Sequence, residues 1–114
     1  MAQQGVFTLP ADISFGVTVL VNSSAAQQVT VLVDGAQVGV FTGEGTTDQN
    51  LGTKLFNSGR GTVQIQVAAN GKASDLVSAQ LVLTDKLNVA IVGSEDFTDN
   101  DYNDAIVLLN WPLG

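Results

Sequence analysis

Residues 15–21 read Phe-Gly-Val-Thr-Val-Leu-Val. Phe15, Val17, Val19 and Val21 fall on one side of an extended chain, and Gly16, Thr18 and Leu20 on the other. Alternation with period two marks a strand that shows one face to a core. The same pattern recurs from Val29 to Val33 and in Val63-Gln64-Ile65-Gln66-Val67. Valine (16), threonine (10) and isoleucine (4) give 30 β-branched residues among 114, a composition that suits a pleated surface. No window carries an apolar stripe of period 3.6 and helical length.

Asp34-Gly35, Asn57-Ser58-Gly59-Arg60-Gly61 and Asn70-Gly71 punctuate these runs as turns. The pattern predicts strands over 5–9, 15–22, 28–33, 37–42, 53–57, 62–69, 76–84, 87–92 and 105–110. Segment 43–52, with three glycines and Thr46-Thr47-Asp48-Gln49-Asn50, reads as a loop. Leu76–Leu83 and Leu87–Val92 are more continuously apolar, as strands lying between two sheets would be. The expected fold is all-β: an antiparallel β-sandwich of about nine strands with Greek-key connections, in a single domain over 1–114. Trp111-Pro112-Leu113-Gly114 closes the chain with apolar residues, suited either to a strand tucked on the core or to an interface.

Composition excludes several kinds of chemistry. The chain has neither histidine nor cysteine, so it offers no disulfide, no Cys/His zinc site, no thiol nucleophile and no imidazole base. Its four basic residues, Lys54, Arg60, Lys72 and Lys86, are too few and scattered for a nucleic-acid footprint. The longest apolar runs fall well short of the ~20 residues that span a bilayer. The N-terminus shows neither a positive n-region nor an apolar h-region. The expectation is synthesis in the cytoplasm, with release or cell-surface association by a route the sequence does not display.

Eleven acidic residues against four basic ones set the net charge at −7. Glu95, Asp96, Asp99, Asp101 and Asp104 place five carboxylates within ten residues, with no Lys or Arg among them. The remaining six acids and four bases leave only −2, so the excess charge is concentrated in one segment. Such density raises the carboxyl pKa values unless something positive sits among them. A solvated acidic loop and a divalent cation site both satisfy the charge. Oxygen donors without thiol or imidazole select Ca2+, Mg2+ or Mn2+, and calcium accepts six to eight oxygens in irregular geometry. Five acids with Asn100 and Asn103 exceed the needs of one ion, so two neighbouring ions sharing carboxylates are plausible. Asp99-x-Asp101-x-Asn103 matches the first three ligand positions of an EF-hand. The match fails at position six, where Asp104 stands for Gly, and at position twelve, where Asn110 stands for Glu. A small glycosidase would need one carboxyl kept protonated, whereas a dense acidic cluster without histidine favours ionised metal ligands.

Gly5-Val6-Phe7-Thr8-Leu9-Pro10, Ser74-Asp75-Leu76-Val77-Ser78, Val92-Gly93-Ser94-Glu95-Asp96, Asp99-Asn100-Asp101-Tyr102-Asn103-Asp104 and Asn110-Trp111-Pro112-Leu113-Gly114 together resemble the LecB-type bacterial lectins across essentially the whole chain. The resemblance implies a β-sandwich that dimerises, with dimers usually pairing into tetramers, and a non-catalytic site in which two adjacent Ca2+ ions bind vicinal hydroxyls of fucose or mannose. It implies fucosylated or mannosylated glycans as partners. By position, Glu95, Asp99, Asp101 and Asp104 would hold one calcium. Asn22 (through its backbone carbonyl), Asp101, Asn103 and Asp104 would hold the other, completed by the terminal carboxylate of Gly114 from the dimer partner. Asp96 and Thr98 would lie around the sugar. Ser23-Ser24-Ala25 occupies the triplet that tunes specificity, and it looks like the fucose-preferring group rather than the mannose-preferring one. Phe97 departs from the family pattern, which commonly has Gly there: it is either a tolerated surface change or a ring that lies beside the sugar or closes one edge of the site. A mannose preference, or a sandwich merely stabilised by calcium, is the alternative. Two bound calcium ions would take the charge of −7 to −3.

Overall fold

The structure, a computed structural model, describes residues 3–96 and 101–114. The alternating segments form eight strands: β1 (Val6–Thr8), β2 (Ser14–Val33), β3 (Ala36–Asn57), β4 (Thr62–Ala69), β5 (Lys72–Ala73), β6 (Asp75–Thr84), β7 (Leu87–Glu95) and β8 (Ala105–Trp111). All pairings are antiparallel. Strands β2 and β3 form one long ribbon, closed by Asp34-Gly35 with φ of 52° and 82°. Positive φ at both central residues matches the right-handed twist of the flanking strands.

The ribbon belongs to two layers. Residues 16–21 of β2 pair with β8, whereas residues 27–33 pair with β4. One layer therefore runs β3-β2-β8-β7-β6, and the other runs β3-β2-β4-β1 with β5 beside β4. Strands β6, β7 and β8 follow in succession, and β2, distant in sequence, lies beside β8, as in a Greek key. The odd-numbered residues of β2 from Phe15 to Val21 and from Val29 to Val33 all point into the core. There they meet Val63, Ile65 and Val67 of β4 together with Val107, Leu109 and Trp111 of β8. Burying each valine contributes about 1.5–3 kcal/mol.

Three expectations need correction. First, 15–22 and 28–33 are halves of one strand, and 43–52 is not a loop but the middle of β3. As an edge strand paired only to β2, β3 leaves its polar residues in water. Register shifts between Val19 and Leu20, and between Val21, Ser23 and Gln27, absorb its irregular residues without ending it. Second, β7 continues to Glu95, which puts Ser94 and Glu95 on the sheet. Third, β6 and the start of β7 are not enclosed. Val77, Leu81, Val82, Leu83, Leu87 and Ile91 are 42–62% exposed, because β6 ends its layer and no described element covers the outer side. Among the described residues there are eight strands, in keeping with the eight or nine expected. At the C-terminus, Trp111 is buried on the core, Leu113 is half-buried and Gly114 is exposed.

Candidate metal centre

Strands β7 and β8 part after the Gly93↔Ile106 pair, and Glu95, Asp96 and residues 101–104 lie at the opening. Ser94, fully buried, stitches its two ends: its hydroxyl accepts from Ala105 N at 3.0 Å, while its carbonyl accepts from Asp104 N at 3.1 Å. Tyr102 has φ 53°, and its carbonyl lies so close to Gly93 that a Cβ there would stand 2.5 Å from it. Glycine at 93 is thus what lets the 101–103 backbone lie on β7.

Carboxylate oxygens of Glu95, Asp101 and Asp104 all fall within 4.8 Å of one another. Glu95 and Asp104 are buried (1% and 4% exposed), whereas Asp101 is exposed. Tyr102 N donates to Glu95 Oε1 at 3.2 Å, and Asp96 N donates to Asp104 Oδ2 at 2.8 Å. Burial, above all, pushes the Asp104 carboxyl up from its ordinary 3.8 to about 6. The Asp96 N–H bond opposes this, and the negative charges of Asp96 and Glu95 add to it. Asp101 and Asn103 complete the gap. With its amide nitrogen turned to Asp101, Asn103 donates to both carboxylate oxygens at 2.7 and 2.9 Å. Turned the other way, three acceptor oxygens converge, an arrangement that a cation satisfies.

Asn22 joins this group from β2. Its N–H donates to the carbonyl of Asp104 at 2.9 Å, so its main chain abuts the acidic segment. Ser23, Ser24 and Ala25 follow directly, Ser23 buried, Ser24 exposed and Ala25 half-buried. Ser23 Oγ accepts from Ala25 N at 3.1 Å, and the buried Gln27 donates to Ala25 O at 3.2 Å. Asp96 is half-buried beside Asp104. Phe97, Thr98 and Asp99 lie outside the described residues. Gly114 is not brought to the cluster within its own chain: Leu113 N donates to Ser14 O at 3.3 Å. Ser14 begins the strand that reaches Asn22 eight residues later, roughly 25 Å away. Sequence reasoning missed Ser94, which carried no signal beyond its place beside Glu95. It also missed Asp48, whose carboxylate accepts from Asn22 Nδ2 at 2.6 Å.

The donor set is all oxygen and mostly anionic, which fits a hard divalent cation. Fold and site together define a β-sandwich protein with an acidic, oxygen-lined centre at one end of its sheets. The chain belongs to the fucose-binding lectin II (PA-IIL) family, whose model matches residues 7–113, and is therefore a carbohydrate-binding protein rather than an enzyme.

Solved structures agree. A Chromobacterium violaceum lectin, CV2L, in complex with α-methyl-fucoside is 67% identical, with a TM-score of 0.96 over 99% of this chain and 100% of that one. A high-affinity mannose-binding lectin from Ralstonia solanacearum is 61% identical, with a TM-score of 0.96 over the same shares. The C-terminal domain of the BC2L-C lectin from Burkholderia cenocepacia is 46% identical, with a TM-score of 0.91 over the whole of both chains. Among curated protein sequences there is no match.

Proposed function

We propose that the protein is a calcium-dependent lectin that prefers L-fucose to mannose and takes two Ca2+ ions per subunit. The observation that carries this reading is the convergence of Glu95, Asp101 and Asp104 within 4.8 Å, on a chain with neither His nor Cys. Glu95, Asp99, Asp101 and Asp104 would hold one ion. The Asn22 carbonyl, Asp101, Asn103 and Asp104 would hold the other, with Gly114 of the partner subunit. Bound there, the ions supply positive charge that attracts vicinal sugar hydroxyls more strongly than a hydrogen bond merely exchanged with water. The chain's own part is to order the carboxylates, through Ser94 and the backbone N–H groups of Asp96 and Tyr102. Asp96, Phe97 and Thr98 would line the sugar, and Ser23-Ser24-Ala25 would sort one sugar from another.

Fucose is favoured by the specificity triplet and by the fucoside complex of the Chromobacterium lectin. The Ralstonia mannose-binding lectin, 61% identical, supports mannose as the second reading. Both sugars present a similar set of two equatorial hydroxyls and one axial.

The same site supports a dimer. A groove of about 550 Å³ opens beside Asp101 and Asn103 and is walled by Val77, Ala79, Ile91 and Ile106. Its apolar wall continues the uncovered outer side of β6 and β7. A second copy docked there covers that side and brings its own Leu113-Gly114 to the acidic end, where the chain's own Gly114 does not reach. Pairing of two such dimers makes a tetramer, and several sites on one particle turn modest single-site affinity into avidity. A glycan array run with and without EDTA tests the reading: fucosylated spots lead, and all binding disappears with the chelator. Retained binding in EDTA, or sugar release by hydrolysis, would count against it.

A further inference from the structure

We propose that Asp48 is a positioning residue for the metal centre, clamping Asn22 from the side opposite to Asp104. The inference rests on the calcium reading above and adds a residue that neither the acidic segment nor the resemblance points to. On β2, Val21 pairs with Gln49 and Ser23 pairs with Gly45. Three residues of β3, Thr46, Thr47 and Asp48, therefore stand opposite the single Asn22, a larger bulge than the usual two against one. At its end Asp48 takes φ 51°, a left-handed conformation that Asp and Asn tolerate better than other side-chain-bearing residues. In that conformation it makes a reciprocal pair with Asn22: Asp48 N donates to Asn22 Oδ1 at 2.6 Å, and Asn22 Nδ2 donates to Asp48 Oδ1 at 2.6 Å.

Asn22 is consequently held on two sides. Its main-chain N–H is tied to the Asp104 carbonyl, and its carboxamide both donates to and accepts from Asp48. These bonds fix the peptide whose carbonyl the calcium reading needs. The bulge thus has a structural purpose: it brings an edge strand across to fix the backbone at the point where β2 passes from one layer to the other. A ligand carbonyl held by its supporting shell before the ion arrives avoids the cost of ordering it on binding.

The test combines calcium titration with a readout that needs no metal. Asn22→Ala and Asp48→Gly each lower calcium affinity about tenfold. The double variant is no weaker than either single one, since both remove the same clamp. Asp48→Asn keeps both the left-handed turn and an acceptor, and stays within about twofold of wild type. In metal-free protein, the Asp48 amide proton exchanges slowly with solvent in the wild type and at least tenfold faster in Asn22→Ala. Wild-type calcium affinity in both single variants, additive losses in the double variant, or an Asp48 amide that exchanges equally fast in both proteins would overturn the proposal. A wild-type protein that takes up no calcium would overturn the lectin reading, whereas the exchange measurement still judges the clamp.

Discussion

Ser94 and Asp104 show how single side chains build a site from a gap between strands. The Ser94 hydroxyl is buried and serves Ala105 N, so Ser94→Ala leaves a buried N–H without its partner. The expected loss is about 1–3 kcal/mol of unfolding free energy, measurable by denaturant titration in EDTA. Asp104 makes the opposite kind of contribution. Its carboxyl is raised to about 6, so between pH 4 and 6 the folded chain holds a proton that the unfolded chain has released. Its stabilising share is therefore complete below about pH 4 and is lost as pH rises through 6. In EDTA at pH 7, Asp104→Asn should melt higher than wild type, by an amount on the order of 2 kcal/mol, and the two proteins should converge near pH 4. The same variant should not bind calcium. Metal-free wild type that melts as high as the variant at pH 7 would contradict this ordering.

Among the elements, β7 carries most of the burden, because it supplies core, stitch and one carboxylate of the acidic cluster in one strand. Its inner side is Ala90 and Val92, and its end is Ser94 and Glu95. Gly93 sits between them, beneath the Tyr102 carbonyl. Gly93→Ala should push the 101–103 segment outward and weaken calcium binding by tenfold or more while the protein stays folded. Calorimetry and far-UV dichroism on one sample check both halves. The strands that alternated strictly were the ones read correctly from sequence: the odd residues of β2 from Phe15 to Val21 and from Val29 to Val33, and Val63, Ile65 and Val67 of β4, are buried as expected. Segment 43–52 was misread because glycine and Thr-Asp-Gln-Asn composition describes a bulged edge strand as well as it describes a loop. Continuous apolarity in β6 indicated burial, but the strand ends its layer and leaves Val77, Leu81, Val82 and Leu83 exposed, which apolar composition does not reveal. Glu95, Asp101, Asn103 and Asp104 were legible because charge and spacing are local properties. Asp48 was not, since it meets Asn22 only through the register of a ribbon that sequence had broken into pieces.

For the whole molecule, the uncovered side of β6 and β7 and the distant Gly114 point to one arrangement. Leu81 and Ile91, 58% and 46% exposed, lie on paired strands of the outer layer. Ile91→Glu puts a charge where the second copy would dock. It should yield monomers in sedimentation velocity and lose most of the fucoside affinity, while the melting behaviour in EDTA changes little. A dimeric Ile91→Glu variant with full affinity would place the interface elsewhere. The charge follows the same logic at this scale: five of the carboxylates behind the net −7 sit between 95 and 104, and the two calcium ions proposed above would bring the subunit to −3. The most direct measurement is a calorimetric titration of methyl α-L-fucoside into calcium-loaded and metal-stripped protein, with methyl α-mannoside as the reference. Calcium-loaded protein should bind one fucoside per chain, more tightly than mannoside, with the heat lost on stripping and restored by two equivalents of calcium. Fucoside binding that survives stripping, or mannoside binding more tightly, would contradict it.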